Sequence, residues 1–382
     1  MANTLTNLIP ELYENLDVVS RELVGFIPAV TMDAQASRAA KDQTIRTFVA
    51  PAAAAGDITP AATTPNDGDQ TIGNVTLAIT KARRVPIRWN GEETLSVSGG
   101  HGAAAIRAAQ IQQAIRTLVN EIEADLAGLH VNASRANGAA ATAVFGTAGD
   151  YTAASLTRKI LVDNGAPVSD LSLVLDTAAG ANLRGKQAGY DASNANDSIL
   201  RQGVLLDING MAIRESAQVK YHTAGSFSSG TLTSAVRAVG TTVLAATADY
   251  TAGLGAGDVI TLAHESGAHK YVIQSVAAGS ITIAAPGLRT ATAATGTVAI
   301  TLVASTTRNM AFARSAIVLA QRLPALPDGG DLAVDRTSIT DPRSGLSFEV
   351  AMYPQYRQMQ YEISCAWGVK VVQPEHVALL LA

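Results

Sequence analysis

The chain has 382 residues, enough for two or three domains of ordinary size; 47% are hydrophobic but only 4% are aromatic. Its apolar material is therefore mostly Ala, Val, Leu and Ile, which contribute little transfer free energy each, so association between copies is an expected source of stability. A net charge of −4 and a pI near 5.9 exclude the basic balance of proteins that grip phosphates, and a lone cysteine, Cys365, excludes an intrachain disulfide framework.

The first residues, Met1 to Glu11, show no basic region followed by an apolar core, so no secretion signal is expected. No run of about eighteen apolar residues occurs, so no membrane span is expected, and the reading is of a soluble chain made in the cytoplasm. Leu5, Leu8, Leu12, Leu16, Val19 and Leu23 recur at three and four residues. That spacing predicts an amphipathic helix, interrupted at Pro10 and ended before Pro28. Strand-like runs at Thr44–Val49 and Gly73–Thr80 flank a stretch of Ala, Thr, Pro, Gly and Asp with almost no large side chains. Such a segment cannot bury a core, which predicts a long projecting hairpin or loop. Lys81-Ala-Arg-Arg-Val-Pro-Ile-Arg88 with Trp89 reads as a basic strand. No second basic cluster adjoins it, so a solvated edge or an inter-subunit charge pair is expected rather than a nucleic-acid patch.

Gly99-Gly-His-Gly102 opens the strongest helical pattern. Ile106, Ile111, Ile115, Leu118, Ile122, Leu126 and Leu129 mark its apolar face, with Arg107, Gln112, Arg116, Glu123 and Asp125 on the others. From 102 to 131 it would span about 45 Å. Residues 151–220 read as mixed α/β, with a helix at Leu156–Val162, a buried strand at Leu171–Leu175, and Asp197–Gly203 leading into Val204–Ile208 and Met211–Arg214. From 222 to 306 short alternating runs recur at Asp258–Leu262, Lys270–Val276, Ser280–Ile283 and Thr297–Val303. This spacing predicts a small β-barrel or sandwich inserted in a loop. A helix-like stretch, Thr307–Leu319, follows. The chain closes on the apolar strands of 345–382, among them Ala366-Trp-Gly-Val-Lys-Val-Val-Gln-Pro-Glu375, a buried strand stopped by a proline.

Several motifs look chemical and read better as structure. Gly253-Leu-Gly-Ala-Gly257 precedes a strand, whereas phosphate cradling needs helix N-terminal amides. Gly99–Gly102 lacks the Lys-Ser or Lys-Thr of a phosphate loop. His264, Glu265 and His269 are spaced i, i+1, i+5, and the two histidines converge on neither a helix face nor a strand face. His101, His130, His222 and His376 are scattered. Asn132-Ala-Ser134 fits a glycosylation acceptor that a cytoplasmic chain would not use, and the pairs Asp67/Asp69 and Asp328/Asp331 read as turns rather than calcium sites. Cys365 reads as a buried filler. The sequence assigns no catalytic, cofactor-binding or metal-ligating residue; it implies no cofactor and no enzyme.

Trp367-Gly368 leading to Pro374-Glu375, the long helix, Ser198-Ile-Leu-Arg-Gln202, Gly257-Asp-Val-Ile-Thr261 and Asn309 through Pro324 occur in an order that resembles the major coat proteins of tailed bacteriophages. The similarity is to the short-tailed-phage subgroup whose coat protein carries an inserted telokin-like β-domain. The resemblance implies an α+β tailed-phage capsid fold. Its parts would be an N-terminal helical arm (1–33), an extended β-hairpin loop (34–80) and a peripheral domain with spine helix (81–150). An axial domain (151–221), an inserted β-barrel domain (222–306), a return through the axial domain (307–344) and peripheral closing strands (345–382) would follow.

It further implies hexamers and pentamers of the chain forming an icosahedral shell in the virion, assembled in the host cytoplasm. Scaffolding protein, a portal ring and a decoration protein would be partners, and double-stranded DNA would be enclosed without sequence-specific binding as the precursor shell expands. A nanocompartment shell is the alternative within the same fold, disfavoured by the inserted β-domain. A secreted β-rich adhesin lacks its signal, and a hydrolase lacks a nucleophile–base pair.

Overall fold

A computed structural model describes residues 24–49, 72–97, 102–187, 207–265, 267–293, 296–340 and 345–382, with single positions between 50 and 71. The expected arm helix over Leu5–Leu23 and the segment Ser198–Gln202 lie outside the described residues. In chain order the strands begin with β1 (Thr31–Ala39), β2 (Thr44–Val49), β3 (Gly73–Ala78) and β4 (Lys81–Asn90). Helices α1 (Gly91–Val97) and α2 (Gly102–Gly128) precede β5 (Arg135–Gly138), α3 (Thr152–Asp163), β6 (Leu171–Leu175), α4 (Thr177–Asn182) and β7 (Ala212–Glu215). Short strands follow: β8 (Tyr221–His222), β9 (Gly230–Leu232), β10 (Val243–Ala245), β11 (Val259–Leu262), β12 (Lys270–Ala277), β13 (Ser280–Ile283) and β14 (Val298–Leu302). The last six are β15 (Thr306–Ala313), β16 (Ile317–Pro324), β17 (Asp335–Thr340), β18 (Ser347–Gln355), β19 (Gln358–Val371) and β20 (Val377–Leu381).

The axis of the first sheet is β19. One of its edges pairs with β4 from Gln358 to Trp367; the other pairs first with β18 and then with β16. Beyond those lie β17 and, parallel to β16, β1. Helix α2, about 40 Å long at 27 residues, lies against β4 and β19. Ile111, Ile115, Leu118, Ile122 and Leu126 are buried there with Phe348, Ile363 and Trp367. The inward stripe departs from the sequence reading at two points. Ile106 is 41% exposed, and Glu123, placed by pattern on an outer face, is buried.

The second sheet runs β7-β6-β15-β20-β5 and carries α3 against β20, β5 and β15. All five residues of β6 and of β20 are buried. From β9 to β14 the chain forms its own circuit. β9 pairs β14, β14 pairs β11, β11 pairs β12, β12 pairs β13, and β13 pairs β10. A bridge between Leu232 and Ala246, with Thr233 N donating to Ala245 O and Thr247 N to Thr231 O, joins the end of β10 back to β9. The six strands thus close on themselves around Leu232, Leu244, Ile260, Tyr271, Ile273, Ile281 and Ile300. Lys270 and Tyr271 of β12 also pair with Ala136 and Arg135 of β5, which splices this barrel onto the second sheet.

Three expectations are corrected. Thr307–Leu319 is two strands with a short 3-10 turn, not helix-like; seven of eight residues in β15 are buried, Thr306, Arg308 and Asn309 among them, so burial on both faces left no period of two to read. Residues 31–39, divided in the sequence reading between arm (1–33) and hairpin loop (34–80), are strand β1 in the first sheet. The 307–344 return and the 345–382 closing strands each divide between the sheets. β15 and β20 pair in the second, while β16, β17, β18 and β19 lie in the first.

Candidate assembly surface

The most distinctive external feature is the β2–β3 hairpin, a two-stranded ladder from Thr44↔Ala78 to Val49↔Gly73 that joins neither large sheet. Its root is tightly held. Asp42 N donates to Ile79 O (2.8 Å) and Ile79 N to Gln43 O (3.0 Å). Leu77 and Ile79 are buried with Ala39, Val318, Ala320 and Ala366, on β1, β16 and β19. Lys370 Nζ donates to Thr76 O at 2.8 Å. The root crosses β19 so closely that a Cβ on Gly368 would overlap the Ala78 carbonyl. A glycine inside a strand commonly marks such a backbone approach.

Beside the root, a charged network ties β4 and β19 to the spine helix α2. Lys81 Nζ donates to Glu121 Oε1 (3.0 Å) and Asp125 Oδ1 (2.8 Å), and the buried Trp367 donates its Nε1–H to the other Asp125 oxygen (2.9 Å). The Lys81 ammonium also lies 5.9 Å from the centroid of the Trp367 ring. Burial alone would pull Lys81 down, but Asp125 and Glu121 hold it above the ordinary lysine range. Arg83 pairs with Glu121 and Arg84 with Glu362. Lys81, Arg83 and Arg84 thus have partners within the chain, on a strand edge where both arginines stay more than half exposed, and exposed pairs like Arg84–Glu362 contribute only about 0–1 kcal/mol. The Lys81 and Arg83 pairs reach the helix at Glu121 and Asp125 and so position it against the first sheet, whereas Arg84–Glu362 joins β4 to β19 within that sheet.

Beyond the root, two large apolar side chains are exposed among the described residues. Ile58 is 99% exposed and Ile72 is largely so. Residues 50–72 contain Asp57, Asp67 and Asp69 and no lysine or arginine. On the same sheet, an open groove of about 780 Å³ is lined by Trp89, Leu95, Arg107, Tyr356, Met359 and Tyr361. Leu95 is 76% and Tyr356 89% exposed. Side chains of this size left bare in clusters mark surfaces that meet another molecule.

The chemical-looking motifs do not gather there. His264 Nε2 lies 3.2 Å from Thr290 O, Glu265 accepts from the Tyr271 hydroxyl and Thr290 N, and His269 Nδ1 lies 3.5 Å from an Arg135 guanidinium nitrogen. Among the described residues, no group of three or more His, Cys, Asp or Glu side chains could hold a metal ion. Gly253–Gly257 is a turn before β11, with Gly255 N bonded to Asp258 Oδ2. Asp331 accepts from Ala333 N, Tyr353 and Arg336. Ser134 is buried, donating to Val377 O, and Asn132 accepts from Gln274. His376 bonds Gln373. His101 and Asp67 lie outside the described residues. Cys365 is wholly buried and burial pushes its thiol well above the usual range, which suits packing rather than reactivity. Among the described residues, no helix is long and apolar enough to cross a membrane.

Sequence reasoning missed the Lys81–Asp125–Trp367 network and the close pass at Gly368. The glycine within an apolar strand run was the available signal for the second; the first joins residues 242 apart in the chain and leaves no local pattern.

No protein-family model matches the chain, and no curated protein matches it. Among solved structures it is similar to a chain of Mycobacterium phage Che8 at 12% identity and TM-score 0.46, covering 95% of this chain and 89% of that one. The capsid of a native GTA particle gives 11% identity and TM-score 0.47, with 94% and 90% covered. A virus-like particle from Pyrococcus furiosus gives 8% and 0.45, with 98% and 100% covered.

Proposed function

We propose that this chain is the shell subunit of a tailed phage: copies associate as hexamers and pentamers into an icosahedral capsid around double-stranded DNA. The observation that carries this reading is the hairpin, a projection with a rigid, buried root and bare apolar side chains beyond it, on a sheet braced by a long helix. Such a device gives nothing to an isolated monomer and fits the surface of a second copy. The acidic, small-residue loop would reach over a neighbouring subunit, and the closed barrel of β9–β14 would be an inserted domain facing outward. The order of sequence motifs shared with phage coat proteins supports the finer picture of a scaffold-assisted precursor shell with a portal, able to bind a decoration protein, assembled in the host cytoplasm and expanding as DNA enters. No chemistry is required of any side chain. Under this reading the loop is the β2–β3 hairpin with residues 50–72, while 81–150 and 345–382 form the peripheral part and 151–221 and 307–344 the axial part, except where their strands exchange between the sheets.

The test is to replace residues 50–72 by a short Gly-Ser turn and to compare sedimentation with the unaltered chain, each expressed with its scaffold. The expected result is large particles from the intact chain and folded small species from the variant. Identical sedimentation of the two would contradict the role given to the hairpin.

A further inference from the structure

The least expected side chain in the helix is Glu123, 1% exposed on the inward stripe of α2. Its carboxylate spans three segments distant in sequence. Oε1 accepts from the backbone amides of Phe26 and Ile27, both at 3.0 Å. Oε2 accepts from the Phe26 amide (3.1 Å) and from the Ser216 hydroxyl (3.2 Å). Phe26 and Ile27 begin the short 3-10 turn that ends at Ala29, and the first amides of such a turn have no partner within it. Glu123 supplies that partner from 96 and 97 residues away.

The turn itself is locked in place. Phe26 and Ile27 are completely buried, and the Phe26 ring stacks on Phe312 of β15 at 6.2 Å. A Cβ on Gly25 would press on the Glu215 carbonyl, so the chain passes here with no room to spare. From the turn the carboxylate faces two amides, and from the segment after β7 it faces one hydroxyl. The neighbouring Glu215 is turned to Arg184. Among the described residues no lysine, arginine or histidine is paired with Glu123, so a charge here is carried by hydrogen bonds alone.

We propose that Glu123 is a proton-coupled latch, which holds the root of the N-terminal segment, residues 25–29, against the spine helix and loosens it when the buried carboxyl must stay charged. Burial is the dominant influence and outweighs the lowering by the Ile27, Phe26 and Ser216 hydrogen bonds, placing the docked group at about 7. Released into water, the carboxyl would titrate at its ordinary value of 4.5. The docked form therefore binds more protons between those values. Docking is strongest below the lower value, weakens as pH rises towards about 7, and is level above it. This latch is a property of the single chain and is independent of the shell reading.

Amide hydrogen exchange of the full chain, resolved to residues 24–30 and corrected for the intrinsic pH dependence of exchange, tests it. Between pH 6 and pH 8.5 the protection of the Phe26 and Ile27 amides should fall about tenfold. The amides of Ile363 to Ala366 in β19 should keep theirs and so report on global unfolding. Glu123→Gln, neutral at every pH and still offering a carbonyl oxygen, should show no such step, and Glu123→Ala should leave the two amides poorly protected throughout. Protection of the two wild-type amides that does not change between pH 6 and pH 8.5 would overturn the proposal, as would full protection in Glu123→Ala.

Discussion

Gly368 sits where β19 passes beneath the hairpin root, and Trp367 beside it is buried with its indole N–H on Asp125. These two adjacent residues join the sheet, the helix and the projection. Gly368→Ala places a methyl group on the Ala78 carbonyl, so either β19 or the root must shift. Overpacking of this kind costs about 1–3 kcal/mol. The expected outcome is a lowered denaturation midpoint together with faster protease cleavage near residues 72–79; unchanged values for both would show that the approach is not tight. In sequence the Trp-Gly pair announced a buried strand, and Pro374 announced its end. What the strand lay against was not legible, because the hairpin root that crosses it lies some 290 residues earlier.

At the scale of elements, legibility followed periodicity. The spacing of Ile111 to Leu126 marks a helix, and the alternating runs from Val259 to Leu302 mark short strands. Glu123 also lies on the helical stripe, four residues after Val119 and three before Leu126, so position alone could have flagged it as buried. Strands β15 and β16 failed the other way, being buried on both faces. The junction between α2 and the barrel depends on contacts that no local pattern encodes. His130, just past α2, lies 3.5 Å from His222, whose Nε2 is 2.9 Å from Asp258 of the barrel.

Burial, with lesser contributions from His222, Arg308 and Lys220, pushes His130 down to about 4 despite its bond to Ala127 O. The unfolded chain, with histidine near 6.5, binds the proton more readily, so this group favours folding above 6.5 and the advantage is lost as pH falls towards 4. Urea denaturation should lose about 2 kcal/mol over that interval. In His130→Asn that part of the pH dependence should be absent. An identical slope in both proteins would place the effect elsewhere.

For the whole molecule, two sheets share one chain by exchanging strands: β15 and β20 pair in one, while β16 and β19, their neighbours in sequence, pair in the other. The hairpin and the exposed Ile58 lie outside these interleaved sheets, and the groove at Tyr356 lies on the first of them. Aromatics are only 4% of the chain, and under the proposed function further burial comes from contact between copies. If such contact closes into a shell, as proposed, electron microscopy of the purified chain at high concentration will reveal it. The expected images are closed particles of uniform diameter, or tubes built from the same contacts. A population that stays strictly monomeric at every concentration reached would contradict the shell reading.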